Sequence, residues 1–266
     1  KPEVMVALSE FWLLHGFLQP EALEHTLRSV PEFKYLAGLF KNNDYKNLYR
    51  HVMEMPQQEV NSILVSLVHH ELQCKRDNQL TKEQPGWWVA KLYEHETSIS
   101  HIDRGVFSIY FFNIVKINPG EAIFQGAGIP HAYLEGQNVE LMANSDNVLR
   151  GGLTPKHIDV PELLKHTIFE GVTPNIMGGE EIKNGEKNYS CPVNDFAINK
   201  IELQQHQTLT GTASSLEIIV IMDGNIQIKS SATLHVKRGE AAVILCGETY
   251  NIFTESHVLA YKAFVP

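Results

Sequence analysis

A short internal repeat places the strongest constraint on the fold of this chain. Residues Ile114–Phe124 (IVKINPGEAIF) are similar to Thr233–Val243 (TLHVKRGEAAV), with Gly-Glu-Ala at the same place in each copy. Both copies set strand-forming residues on either side of a glycine turn. The repeat predicts two β units of related design. When the alignment is continued without gaps, His131 falls on Tyr250, so the second unit is predicted to have lost this histidine.

The rest of the chain divides by residue pattern. Residues 1–18 are rich in β-branched and aromatic side chains, which predicts strands. Residues 19–100 repeat leucine at helical spacing, which predicts a helical domain. Residues 101–180 and 181–266 predict two β domains. Smaller elements are also predicted: strand through Phe107–Ile117, a short helix at Val160–Thr167, a linker at Gly171–Asn188 and a hairpin turn at Asp223-Gly224.

Composition excludes several classes of function. The net charge of −9 argues against general nucleic-acid binding, which needs a basic face. The longest apolar run, Val106–Val115, is too short to cross a bilayer, so no membrane association is expected. Three widely spaced cysteines argue against a disulfide framework and favour the reducing cytoplasm.

One histidine lies in a pattern typical of metal-binding β-barrels. Gly120, Gly126, Gly128 and His131 are spaced as in the second metal motif of cupins, which are small jelly-roll barrels. The alternative is a buried structural histidine in a glycine-rich turn. Glu3 is either a surface acid or a zinc ligand acting with His131. Two protein ligands are too few for zinc, so further ligands are required.

The segment that follows His131 carries charges suited to an anionic substrate. The guanidinium of Arg150 can hold two oxygens of a diol, an enediolate or a phosphate; the alternative is a loop arginine paired with Asp146. Lys156 adds a second positive charge. Glu140 and Asp146 are the two candidates for proton transfer, and each has the alternative of binding backbone donors or Arg150.

Two segments of this region resemble one known family. Gly126–Gly136 (GAGIPHAYLEG) and Glu140–Leu163, which contains NSDNVLRGGLTPK, closely resemble the type I phosphomannose isomerases, particularly the bacterial ones. The resemblance includes the opening Lys-Pro-Glu, Gln84–Lys91 (QPGWWVAK) and Asn113–Phe124, and it weakens after Leu164.

The resemblance implies a mainly β fold of two cupin-like (jelly-roll) barrels with a helical domain inserted. Residues 1–18 would end the N-terminal part of the first barrel, residues 101–180 would form the catalytic barrel, and residues 181–266 a degenerate one. A Gln-x-His pair that supplies zinc ligands in the family has no match here. We therefore expect a missing N-terminal segment and an incomplete first barrel, with the remaining ligands upstream of residue 1.

The resemblance also implies a function and a set of site residues. The activity is the zinc-dependent interconversion of mannose 6-phosphate and fructose 6-phosphate through a cis-enediol, by a monomer whose partner is a phosphosugar. The alternative is a non-catalytic metal- or sugar-phosphate-binding cupin, or an inactive fragment. The zinc ligands carry over onto Glu3 and His131. The other family positions in this sequence are Lys1, Tyr133, Glu140, Asp146, Arg150 and Lys156, with Tyr133 and Lys156 expected to bind substrate.

Overall fold

A computed structural model describes residues 1–266. Strands β1 (Glu3–Ala7) and β2 (Phe11–Phe17) come first, and five helices follow: α1 (Pro20–Ser29), α2 (Tyr45–Glu54), α3 (Gln57–Arg76), α4 (Pro85–Tyr93) and α5 (Gly105–Phe111). Next are β3 (Phe112–Ile117), β4 (Ala122–Gln125), β5 (His131–Glu135), β6 (Asn138–Met142) and α6 (Val160–His166). The remaining strands are β7 (Ile176–Met177), β8 (Glu180–Lys183), β9 (Glu186–Tyr189), β10 (Ala197–Leu203), β11 (Thr208–Thr212), β12 (Glu217–Asp223), β13 (Asn225–Lys229), β14 (Thr233–Lys237), β15 (Ala241–Ile244), β16 (Thr249–Phe253) and β17 (Val258–Phe264).

The first β unit consists of two facing antiparallel sheets. One has the order β6-β1-β4-β7 and the other the order β3-β2-β5. One end of the space between them is filled by seven buried apolar residues: Met5, Ala7, Phe11, Leu13, Val115, Ile117 and Ile123. Because side chains alternate along a strand, residues two positions beyond a member of this cluster also face the space between the sheets. These positions lie outside the apolar cluster and can carry polar groups.

The helical segment packs against the first β unit. Helix α1 begins at Pro20, which fits the first helical position, and it buries Leu23 and Leu27. Helix α2 is capped by Asp44, whose side chain accepts a hydrogen bond from the Asn47 amide. A single core of 29 buried residues includes residues of β2 and β3 together with these helices, and it fixes the helices relative to the sheets.

The second β unit repeats the strand pairing of the first. Strand β1 pairs with β4 and β6, and β12 pairs in the same way with β15 and β17. Strand β2 pairs with β3 and β5, and β13 with β14 and β16. The predicted duplication is therefore confirmed, and it includes strands outside the short repeated segment. The structure is mainly β with a helical insert, as predicted.

Three local predictions are wrong. Residues 107–111 belong to helix α5 and only Phe112–Ile117 forms a strand. All seven residues of α5 are buried, and an apolar run without an exposed face has no periodicity that separates helix from strand. The predicted linker Gly171–Asn188 contains β7, β8 and most of β9. Asp223-Gly224 makes a turn, yet β12 and β13 lie in different sheets, so it is not a hairpin.

The three cysteines Cys74, Cys191 and Cys246 are all free. No helix combines the length and apolar character that crossing a membrane requires.

Candidate active site

Glu3 and His131 come together at the polar end of the first β unit. Glu3 begins β1 and His131 begins β5, and Oε2 of the carboxylate lies 3.3 Å from Nε2 of the imidazole. The two side chains are 13% and 25% exposed. The pKa of Glu3 is lowered, chiefly by hydrogen bonding with His131 and further by the charge of Lys1, against the opposing effect of burial. Two residues 128 positions apart thus form the pair that the sequence predicted.

The surroundings of His131 suit a metal ligand. Its Nδ1 lies 2.9 Å from the carbonyl oxygen of Ile129, so Nδ1 carries the proton that this carbonyl accepts. The imidazolium form also donates from Nε2 to the Glu3 carboxylate, whereas the neutral form presents a lone pair there, which a cation bound beside Glu3 would use. Nitrogen and carboxylate donors fit zinc. No group of three potential ligands occurs, so this pair alone does not complete a zinc site.

A second acid is tied to this pair through a tyrosine. The Tyr133 hydroxyl donates to Oε1 of Glu140 at 2.6 Å. Burial, and secondly the Glu140 carboxylate, raise the pKa of Tyr133, so its hydroxyl stays protonated. In the β1–β6 ladder Glu140 is two residues from Met142, the partner of Glu3, so the two carboxyl side chains lie on the same face of the sheet. The predicted residues Glu3, His131, Tyr133 and Glu140 therefore form one cluster.

Two residues beneath this cluster were missed by the sequence analysis. Nε2 of Gln125 donates to the Tyr133 hydroxyl at 3.0 Å, and His15 lies opposite His131 in the β2–β5 ladder. Burial lowers the pKa of His15 to about 4, so its imidazole is neutral at neutral pH. The available signal was a single polar residue in each of two otherwise apolar strands, FWLLHGF and AIFQ.

A cavity of about 1050 Å³ opens between this cluster and the helices. Lys1, Glu3, His131, Tyr133, Asp146 and Arg150 all line it. Arg150 forms no ion pair with Asp146 or with any other carboxylate, so the alternative of a paired loop arginine is not observed. An unpaired guanidinium facing a cavity is suited to an anionic ligand. Lys156 is exposed on the same loop and lies outside the cavity lining.

The loop that carries Arg150 is held against the start of α5 by close backbone contact. A Cβ added to Gly152 would lie 2.6 Å from the Cα of Gly105 and 2.8 Å from its nitrogen. Gly152 also has a φ of +131°, which L residues rarely adopt. The Gly105 amide in turn donates to Oδ1 of Asp103 at 2.7 Å. Only glycine allows this approach, which sets the position of Arg150 two residues earlier.

Replacing Gly152 with alanine is therefore expected to lower the free energy of unfolding by about 2–3 kcal/mol, since strain and collision combine. Gly239→Ala is the matched control, because Gly239 has a φ of +82° and no atom within 4 Å of an added Cβ. Strain alone predicts about 1 kcal/mol for the control. Urea unfolding measures both values. Equal costs at the two positions would contradict the role of the Gly105 contact.

The second β unit carries a different set of residues at the equivalent positions. Glu217 is the counterpart of Glu3 at the start of the first strand, and Tyr250 is the counterpart of His131, as the repeat predicted. The Tyr250 hydroxyl donates to Oε2 of Glu217 at 2.6 Å. By the same register, Lys262 replaces Glu140, and its Nζ lies 3.3 Å from the Tyr250 hydroxyl. A buried ammonium thus takes the place of the second carboxylate.

Comparison with known proteins agrees with this fold. No known family profile matches the chain. Mannose-6-phosphate isomerases of Shigella flexneri and Escherichia coli are 34% and 33% identical over 94% of this chain. The chain spans 62% of the length of these curated relatives.

Solved structures of phosphomannose isomerases are also similar to this fold. A phosphomannose isomerase from Salmonella typhimurium, crystallised as a mutant, superposes with a TM-score of 0.80 at 28% identity, over 99% of this chain and 66% of that one. The enzyme from the same organism bound to fructose 6-phosphate and zinc superposes with a TM-score of 0.72 at 27% identity, over 100% of this chain and 66% of that one. The predicted cupin-like fold class is thereby confirmed. By sequence along nearly its whole length and by fold, the chain is similar to the mannose-6-phosphate isomerases.

Proposed function

We propose that the protein interconverts mannose 6-phosphate and fructose 6-phosphate, with zinc as its cofactor. The observation that carries the proposal is the Glu3–His131 pair at the edge of a cavity that also contains the unpaired Arg150. The relative that was solved with fructose 6-phosphate and zinc supports the same substrate and metal. The proposed location is the cytoplasm, since three free cysteines suit a reducing compartment.

Glu3 and His131 would hold the zinc ion, with the carbonyl of Ile129 orienting the imidazole. When bound, zinc acts as a Lewis acid toward sugar oxygens. A structural zinc site has four ligands and a catalytic site has three plus an open position. We therefore propose that the remaining ligands come from residues outside this 266-residue sequence.

The cations of the cavity would bind and orient the substrate. Arg150 can form two parallel hydrogen bonds to a phosphate or to the oxygens of an enediolate. Lys1 lies beside Glu3 at the cavity wall and would contact the reacting oxygens. Lys156, exposed on the Arg150 loop, would guide the phosphate into the cavity from outside.

The reaction moves one proton from C2 to C1 and one from the oxygen on C2 to the oxygen on C1, through a cis-enediol. The base must therefore reach both carbons. Of the two acids predicted for this step, Asp146 lines the cavity and forms no ion pair, whereas Glu140 accepts a hydrogen bond from Tyr133 and lies outside the lining. We propose that Asp146 carries the carbon-bound proton and that Glu140 holds Tyr133 and supports Glu3.

This assignment predicts different kinetic defects for the two acids. Asp146→Asn is expected to lower kcat more than tenfold with little change in KM, because proton transfer is lost and substrate binding is not. Glu140→Gln is expected to weaken zinc retention, measured by metal analysis after dialysis, because it removes a charge beside Glu3. A larger loss of kcat in Glu140→Gln at full zinc occupancy would reverse the two roles.

The function itself is tested with the product of the complete gene. After removal of metal by a chelator, we expect no isomerisation of mannose 6-phosphate, and we expect activity to return with one equivalent of zinc. The His131→Ala variant should not retain zinc, and its activity should not return when zinc is added. The 266-residue chain alone is expected to bind zinc weakly, because it supplies two ligands. Zinc binding without isomerisation would instead favour a non-catalytic metal-binding cupin. Tight binding of one zinc ion by the 266-residue chain alone would contradict the proposal that further ligands lie outside it.

A further inference from the structure

Two buried polar atoms below the Glu3–His131 pair have no hydrogen-bond partner. They are Oε1 of Gln125 and Nδ1 of His15. Gln125 is fully buried and His15 is 4% exposed. An unsatisfied buried polar atom costs free energy, so native proteins rarely keep one without a reason. Two such atoms in the same part of one β unit call for an explanation.

These residues are neighbours of the site in the sheets. Gln125 pairs across the β1–β4 ladder with Glu3, and His15 pairs across the β2–β5 ladder with His131. Both side chains also point into the space between the two sheets, since they share strand faces with Leu13 and Ile123 of the apolar cluster there. A small rotation of either side chain would therefore join the two unpartnered atoms, with His15 donating and Gln125 accepting.

The second β unit shows that the fold does not require these polar groups. The counterpart of Gln125 in the pairing with the first strand is Ile244, which lies opposite Glu217 and is buried in an apolar core. The β13 ladder ends at Lys229, before the position that corresponds to His15. An apolar residue thus fills the same place in the same architecture, so burial of Gln125 serves the first unit specifically.

We propose that His15 and Gln125 are positioning residues for Tyr133. Nδ1–H of His15 donates to Oε1 of Gln125, Nε2 of Gln125 donates to the Tyr133 hydroxyl, and that hydroxyl donates to Glu140. In this chain of hydrogen bonds, a group that accepts one hydrogen bond becomes a stronger donor in the next. The chain has a fixed direction, so the Tyr133 proton points to Glu140 and its oxygen keeps one orientation in the cavity. The kinetic part of this inference rests on the proposed isomerase function.

The hydrogen-bond chain is tested first without any activity measurement. In long-range ¹H–¹⁵N NMR spectra of the protein, His15 is expected as the neutral tautomer with the proton on Nδ1. Gln125→Met, which keeps size and removes both hydrogen bonds, should change the His15 nitrogen shifts. His15 with its proton on Nε2, or unchanged shifts in Gln125→Met, would overturn the proposal even if the protein has no isomerase activity.

Kinetics then test whether Gln125 acts through Tyr133. Gln125→Met in the complete, zinc-loaded protein is expected to lower kcat/KM about tenfold, and less than twofold when Tyr133→Phe is already present. Thr254→Val is the matched control, since it removes a buried hydroxyl from the second β unit and should lower stability without changing kcat/KM. Equal losses from Gln125→Met in both backgrounds would refute a positioning role.

A third pair of variants separates positioning from packing. The side-chain amide nitrogen of asparagine occupies nearly the place of Nδ1, so His15→Asn should keep several-fold more activity than His15→Leu. If either variant unfolds, the thermal midpoint will show it, and the Gln125→Met cycle still decides the question. Equal activity in two folded His15 variants would contradict the proposed donor.

Discussion

Arg150→Ala is expected to lower the kcat/KM of the proposed isomerase by about 10²–10³, the usual cost of removing a donor that faces developing negative charge. The expectation follows from the structure because Arg150 lines the cavity and has no carboxylate partner. Its charge is therefore available to substrate. Removal leaves no buried acid unpaired, so the free energy of unfolding should change little.

Two variants sharpen this test. Arg150→Lys keeps the charge and loses the planar fork, so it should recover only part of the activity. Arg28→Ala removes an exposed arginine that is paired with Glu24 on α1 and should leave the kinetics unchanged. Isomerase assays over a range of substrate concentration separate kcat from KM. Near-normal turnover in Arg150→Ala would eliminate the proposed role of this residue.

Lys262→Met is expected to lower the free energy of unfolding by about 3–5 kcal/mol, as when one partner of a buried ion pair is removed. Nζ of Lys262 lies 2.7 Å from Oε1 of Glu186 and 3.6 Å from Oε1 of Glu217. All three side chains are almost completely buried. Without the ammonium, two carboxylates would remain inside the second β unit with no compensating charge.

The control for Lys262 is a lysine on the adjacent strand. Lys200 contacts Glu202 at 2.6 Å, but these side chains are 18% and 44% exposed, so Lys200→Met should cost about 0–1 kcal/mol. Urea unfolding gives both values. Adding Glu186→Gln and Glu217→Gln to Lys262→Met should restore part of the loss, because the unpaired charges are gone. Equal costs for the two lysines would contradict the importance of the buried cluster.

The two β units differ in the source of the positive charge that compensates their carboxylates. In the first, Glu3 and His131 form a pair that a bound cation would complete, and Glu140 lies on the same face of the sheet as Glu3. In the second, Lys262 at the position of Glu140 supplies a cation from the chain itself. The loss of His131 in the second copy was visible in the repeat. Its replacement by a charged cluster required the register of β12 and β17, which brings distant residues together.

The predictions that depended on local pattern were mostly correct. Leucine spacing predicted the helical segment, and strand pattern predicted β1, β2 and most strands of the second unit. The short helix predicted at Val160–Thr167 is α6. The error at residues 107–111 has a physical cause, because complete burial removes the polar face that marks a helix. The domain limits and the roles of the site residues stay predictions.

The sequence by itself determined the duplicated β design, the residue types of the site and the resemblance to a family, since these depend on residues close together in the chain. Only the tertiary structure decided which of these residues meet. This structure packs the two sheets so that Glu3 lies against His131, and its loop after β6 leaves Arg150 unpaired at a cavity and Lys156 outside it. It also revealed Gln125 and His15, whose neighbours lie on other strands. Contacts between distant segments arise from sheet pairing and packing, which no local pattern records.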